Sequence, residues 1–258
     1  MGTPTPDRNV ADVLQTIVFA ASKHKDQRRK CKSGEPYIKH PVEVAHLVAT
    51  LGDSSDNIEL LQAAVLHDTV EDTDTTFEEL EETFGSKVAS MVRCVTDDKG
   101  LPKEVRKQLQ IENAPKKSKE VKILKMADKI ANLRDLLTKP NGEGIPTDWS
   151  VERVQQYCSW AKEVAKGLAG VAPKMDEELD TLVNGNFEYM DGKTYPCVPG
   201  YAKRMCMVID EQTISSEDKN RLKNAVGLEH HLSNVAVAQQ EANADGVRVS
   251  LIDVHEAN

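Results

Sequence analysis

Through about residue 183 the apolar residues of this chain recur at the spacing of an α-helix in segment after segment, and convincing period-two alternation is absent. An all-α bundle of about eight to ten helices is the fold class that pattern predicts. In "ADVLQTIVFAASKH", Leu14, Ile17, Val18 and Ala21 fall at i, i+3, i+4 and i+7, which predicts one stripe turned toward a core. "PVEVAHLVATLG" repeats the spacing with Val44, Leu47, Val48 and Leu51, opening at Pro41 and stopping at Gly52. A third helix is expected from Ser55 or Asp56, carrying Ile58, Leu61, Ala64 and Val65 into His67 and Asp68. Thr75 and Glu78 have capping-box spacing for the next, which Gly85 ends. Further helices are expected over "SKVASMVRCVTDD" and "LPKEVRKQLQIENA", with long ones opening at Ser118 and near Asp148.

After residue 183 the texture changes. "NGNFEYMDGKTYPCVPGYAKRMCMVIDEQ" is rich in Gly, Pro and aromatics without a helical stripe and reads as an extended segment. Beyond it, "DKNRLKNAVGLEHHLSNVAVAQQEANA" fits an amphipathic helix and "VRVSLIDV" a short strand or partner-binding tail. Two domains are therefore expected, residues 8–183 and a C-terminal extension over 184–258. His230, His231 and His255 lack a spaced acidic or thiol partner set and read as surface.

Composition narrows the function classes. With 258 residues, 39% of them hydrophobic, the chain can bury a substantial core. No window approaches the roughly 18 apolar residues of a membrane helix, and the first residues lack the apolar run of a secretion signal. A cytoplasmic protein with no membrane partner is the expectation. Five cysteines without a CxxC pair suggest reduced thiols. A net charge of −9 opposes binding to a nucleic-acid backbone, so a polyanionic ligand must be small and met by a local basic patch. "SKHKDQRRK" offers Lys23, Lys25, Arg28, Arg29 and Lys30 against a single Asp26, although a solvated helix end explains that run equally well.

Polar residues also stand where apolar ones belong. In the helix opening at Ser118, Val121, Leu124, Asp128 and Ala131 share one stripe, and a carboxylate there costs several kcal/mol unless paired or metal-bound. The third helix likewise aligns Leu60, Ala64 and His67, with Leu61, Val65 and Asp68 on the adjacent line. His40, just before Pro41, completes a set of two imidazoles and two carboxylates. Taken singly, each has a structural reading: a satisfied core histidine, a loop anchor, a helix-entry residue, and for Asp128 an ion pair with Lys125 or Arg134. One metal ion explains all four. Nitrogen and oxygen donors without sulfur suit Mn²⁺, Fe²⁺ or Zn²⁺, and an octahedral ion held by four ligands keeps two positions for water or substrate.

H…HD…D is the signature of the HD metal-dependent phosphohydrolases. "RRK", "YIKHP", "LLQAAVLHDTVEDTDTT", "VTDDKGLPK", "KMADKIANLRDL" and "RVQQYCSWA" resemble the hydrolase domain of the RelA/SpoT family, and most of all its small stand-alone alarmone hydrolases, over roughly residues 8 to 183. The resemblance implies hydrolysis of guanosine 3′,5′-bis(diphosphate) at the 3′ position to GDP and pyrophosphate, or of the pentaphosphate to GTP. It also implies one Mn²⁺ per chain, held by His40, His67, Asp68 and Asp128, with Glu71 and Asp72 beside the attacking water. Matched positions for a small phosphorylated nucleotide are Arg29, Lys30, Lys103, Asn132, Arg153 and Tyr157, and Tyr157 reads equally well as core. No synthetase domain follows, so degradation of the alarmone is implied. An NADPH 2′-phosphatase, giving NADH and phosphate, is the alternative, since its substrate presents similar anionic handles. A general HD-domain nucleotidase has no need of the "EDTDTT" loop or the "QRRK" segment, and a non-catalytic sensor has no need of Glu71 and Asp72.

Overall fold

The structure is a computed structural model that describes residues 8–199. In chain order its elements are α1 (Arg8–Lys23), α2 (Lys39–Thr50), α3 (Ile58–Leu66), α4 (Thr69–Asp72), α5 (Phe77–Phe84), α6 (Ser86–Val95) and α7 (Lys103–Asn113). They continue with α8 (Lys119–Leu137), α9 (Val151–Leu168), α10 (Pro173–Asn184) and a hairpin of β1 (Asn186–Glu188) and β2 (Thr194–Pro196). The all-α class is the one expected. Capping side chains set several starts: Asn57 accepts from Leu60 N, Ser118 from Val121 N and Ser150 from Arg153 N. Each satisfies an amide that the first turn leaves without a partner. The cap of α5 differs from expectation by one residue: Thr76 accepts from Glu79 N, while Thr75 is buried and bonds Thr73.

The bundle is organised around α8, which packs against α2, α3, α6, α9 and α10. Val121, Leu124, Met126, Ala127, Ile130, Ala131 and Leu133 are all buried, so the helix is enclosed on most of its circumference. Each large side chain among them contributes on the order of 1.5–3 kcal/mol. Gly52 brings the end of α2 against α8: a Cβ there would stand 2.8 Å from Ile123 Cγ2 and 2.6 Å from Val48 O.

The expected core stripe of α1 is corrected. Leu14 and Val18 are 56% and 70% exposed, and the buried face carries Thr16 and Ala20 instead, with Val13 and Ile17 packed beside them. The helix has two apolar rows, and its partner selects between them. α1 lies on α3, where Gln62 donates to Thr16 Oγ1 at 3.1 Å, and just beyond its last turn the buried His24 ring rests on Tyr37 at 4.9 Å.

The packed body runs past residue 183. Phe187 and Cys197 are buried and Tyr189 donates to the Trp149 carbonyl at 2.9 Å, so the hairpin sits on the helices. The readings placed on the segment after residue 199, including His230, His231 and His255, lie outside the described residues.

Candidate active site

Three elements of the bundle converge on one point. The first turn of α2 buries His40, α3 gives way to His67 and Asp68, and Asp128 lies midway along α8. His40 and His67 are only 3% and 5% exposed. Donor atoms of His40, His67 and Asp128 all lie within 4.8 Å of one another. Asp68 Oδ2 stands 3.0 Å from His67 Nε2 and 3.7 Å from His40 Nε2, and Asp128 Oδ1 stands 3.3 Å from His40 Nε2.

The tautomer of His67 tests what belongs between them. Its Nδ1 is 2.7 Å from the Ala64 carbonyl, which only accepts, so Nδ1 carries the hydrogen. In the neutral ring Nε2 then presents a lone pair toward two carboxylates. It is buried and makes no hydrogen bond of good geometry despite the 3.0 Å approach of Asp68. Lone pairs facing lone pairs are satisfied by a cation, and this donor set fits a divalent metal. The field agrees. Burial opposes a charge on His67, yet Asp68 and Asp128 pull its pKa well above the usual value. Against burial, His67 holds Asp68 low, and Lys129 with the two imidazoles holds Asp128 low. Both carboxylates are therefore ionised, as metal ligands must be.

A cavity of about 220 Å³ opens beside this cluster, lined in part by Tyr37, Glu71, Asp72, Asp97, Gln110, Lys125 and Asn132. Glu71 and Asp72 enter on the single turn of α4 that directly follows Asp68. Burial and the neighbouring Asp97 push the Glu71 carboxyl up to about 6, near neutrality. Asp72 is held differently, accepting from Gln27 at 3.0 Å and from Lys99 at 2.8 Å. Glu71 also accepts from Asp97 N at 3.3 Å, so the two carboxyls differ in that Asp72 meets donor side chains and Glu71 a backbone amide.

The expected substrate positions divide. Asn132 lines the cavity and donates to Asp128 Oδ1 at 2.6 Å. Arg29 points inward from the loop after α1, but is engaged with Asp135 at 2.9 Å and Asn132 at 3.0 Å. Lys30 and Lys103 are exposed. Arg153 lies over the Trp149 ring at 4.9 Å, and the Tyr157 ring sits 5.7 Å from Trp149 and 5.5 Å from Trp160. Burial raises the Tyr157 phenol to about 12. The ion pair of Asp128 is made with Lys129 at 2.9 Å, while Arg134 pairs with Glu178 at 2.7 Å. Sequence reasoning missed Tyr37, Asp97, Gln110 and the site role of Lys125 and Lys129. Lys125 and Lys129 gave no local signal, since α8 carries charged residues along much of its length and their burial comes from the helices packed around it.

Comparison with known proteins agrees with this geometry. The HD domain family matches residues 16–148. The chain is 50% identical over 174 residues to the guanosine-3′,5′-bis(diphosphate) 3′-pyrophosphohydrolase MESH1 of Danio rerio, covering 67% of this chain and 93% of that protein. It is 49% identical over 172 residues to the Homo sapiens protein of that name, again covering 67% and 93%. A solved structure described as a metazoan ortholog of SpoT that hydrolyzes ppGpp superposes with a TM-score of 0.62 at 42% identity, over 70% of this chain and 96% of that one. The chain belongs to the HD domain family and, within it, to the MESH1-type 3′-pyrophosphohydrolases.

Proposed function

We infer that this chain is a guanosine-3′,5′-bis(diphosphate) 3′-pyrophosphohydrolase that works with a divalent metal, Mn²⁺ by preference. The observation that carries the reading is His40, His67, Asp68 and Asp128 close together, with Glu71 on the same cavity, in a chain 50% identical over 67% of its length to a protein of that name. Those four residues would hold the ion, which when bound supplies Lewis acidity that lowers the pKa of water. Glu71, raised to about 6 and so still mainly ionised at neutral pH, accepts a proton from the attacking water. Asp72 orients the water from a carboxylate fixed by Gln27 and Lys99. The new P–O bond forms as the bond to the 3′ oxygen breaks. That oxygen leaves as the 3′-hydroxyl of GDP, taking up the proton that Glu71 received from the water, with pyrophosphate as the other product; when the substrate is the pentaphosphate, GTP leaves in its place. Arg153, Tyr157 and Trp149 offer aromatic faces and a guanidinium for the base and 5′-phosphates. Lys30 and Lys103, both exposed, would add positive charge for the substrate's phosphates.

The test offers Mn²⁺-loaded protein both guanosine 3′,5′-bis(diphosphate) and NADPH. Pyrophosphate from the first supports the reading, phosphate from NADPH alone reassigns the chain as a 2′-phosphatase, and no release from either ends both. Asp68→Ala should lose bound metal and activity together, whereas Glu71→Ala should keep the metal and lose turnover. A fully active Glu71→Ala enzyme overturns the role given to Glu71.

A further inference from the structure

The cavity wall holds a cation that nothing described pairs. Lys125 on α8 is only 7% exposed and lines the cavity, yet its ammonium makes no hydrogen bond or ion pair with any described residue. Its neighbour one turn on, Lys129, is already engaged with Asp128 at 2.9 Å and lies over the Trp160 ring at 4.8 Å. Asp97, the acid whose field reaches Lys125, accepts from Gln110 Nε2 at 2.8 Å and faces Arg106 at 3.8 Å. Around Lys125 stand Lys117 and Lys129 of like charge and Asp97 and Asp128 of opposite charge.

Its stem is buried while its charged end opens on the cavity, so a ligand entering that cavity meets a cation that no described side chain neutralises. A second unpaired atom lies on the same wall. Gln110 Nε2 donates one hydrogen to Asp97, which fixes the amide's orientation and leaves Oε1 buried and without a donor. Lys125 also lies three residues before Asp128, on the same face of α8 and about one turn from the metal cluster. A phosphate held at that cluster therefore has its next phosphate within reach of Lys125.

Resting on the 3′-pyrophosphohydrolase reading, we propose that Lys125 binds the terminal phosphate of the diphosphate being cleaved, and so selects a diphosphate over a monophosphate. Gln110 Oε1 takes a hydrogen from water or from a protonated oxygen of the same group. Burial and the neighbouring Lys129 lower the Lys125 ammonium to about 8, so it is still mainly charged at neutral pH. A bound phosphate raises it again.

The test uses Lys125→Met and Lys125→Arg in the full chain loaded with Mn²⁺, with inorganic pyrophosphate and orthophosphate as calorimetric probes. Lys125→Met is expected to weaken pyrophosphate about tenfold or more and orthophosphate by less than threefold, with Lys125→Arg recovering part of the loss. Metal content and melting temperature are expected to hold, because Lys125 pairs with no described residue and methionine keeps the packing of its stem. In turnover, KM for guanosine 3′,5′-bis(diphosphate) should rise while that for a 2′-monophosphate substrate stays within about threefold. Pyrophosphate bound equally by wild type and Lys125→Met, or both probes weakened alike, overturns the proposal. If Lys125→Met does not fold, Lys125→Gln carries the same comparison. Pyrophosphate affinity that depends on Lys125 in a protein without hydrolase activity would refute the enzyme reading and leave the pyrophosphate site standing.

Discussion

Asn132 donates its carboxamide hydrogen to Asp128 at 2.6 Å, one turn earlier on the same helix. Its other end accepts from Arg29 at 3.0 Å, and Arg29 is itself clamped by Asp135. A chain of contacts thus runs from the loop after α1 to a metal-competent carboxylate, and it fixes which way Asp128 Oδ1 faces. Removing the middle of that chain with Asn132→Ala should lower metal affinity by about 10–100-fold while the fold persists. Arg29→Ala should show a smaller loss of metal affinity plus about 1–3 kcal/mol of destabilisation from the pairing with Asp135. Calorimetric Mn²⁺ titration checks both, and wild-type affinity in Asn132→Ala would show that Asp128 needs no such support.

Tyr37 plays the matching part on the other side. Its hydroxyl donates to Asp68 Oδ2 from the loop before α2, and burial together with the Asp68 charge drives the phenol far above its usual range. It is therefore always a donor, and it orients Asp68 without adding charge. Tyr37→Phe deletes one hydrogen bond and keeps the ring against His24 and His40. The expected outcome is a metal affinity lowered about tenfold with a melting temperature within a few degrees of wild type. A loss of folding without a change in affinity would make Tyr37 a packing residue only.

His67, Asp68 and Asp128 were legible because they stood on apolar stripes, an expense that local sequence rarely carries without cause, and His40 by its place just before Pro41 at a helix entry. The start of α8 at Ser118 was legible for a similar reason, since its capping chemistry lies within four residues. The face of α1 was not. Both apolar rows satisfy a helical period, and the choice is made by α3 some forty residues later, through Thr16 and Gln62. Lys125, Lys129 and Gln110 were hidden by the same limit, since a lysine or glutamine in a charged helix reads as solvated until distant elements close over it. The pairing of Arg29 with Asp135 was hidden as well, because an ion pair 106 residues apart leaves no local trace.

The loop after α8 has its own constraint. Gly144 passes so close to the last turns of α8 that a Cβ would stand 1.6 Å from the Asp135 carbonyl oxygen and 2.7 Å from its carbon. Those are backbone atoms of a packed helix, so neither partner can yield cheaply. Gly144→Ala should cost about 3 kcal/mol or more, lowering the melting temperature by roughly 6–12 °C for a domain of this size. Because Asp135 holds Arg29, metal affinity should fall as well. Thermal melting of the metal-free protein checks the first effect, and an unchanged melting temperature would mean the loop moves aside freely.

Glu71 offers a test in which stability and function move in opposite directions. Its carboxyl is raised from 4.5 to about 6, first by burial and then by Asp97, so the folded state disfavours its charged form. Below about pH 4.5 the group is neutral both folded and unfolded, and the charge costs nothing. Between 4.5 and 6 the unfolded chain ionises first and stability drains away. Above about 6 both states are ionised and the full penalty, about 2 kcal/mol, is present. Glu71→Gln removes the charge, so in the metal-free protein it should melt about 4–8 °C above wild type at pH 7.5, a gap that closes as pH falls toward 4.5. Turnover at pH 7.5 should fall by 10²-fold or more, because the amide cannot take the proton from water. A constant gap in melting temperature at pH 5 and pH 7.5 would show that Glu71 is ionised normally, and that its proton-holding role rests on something other than the walls of this cavity.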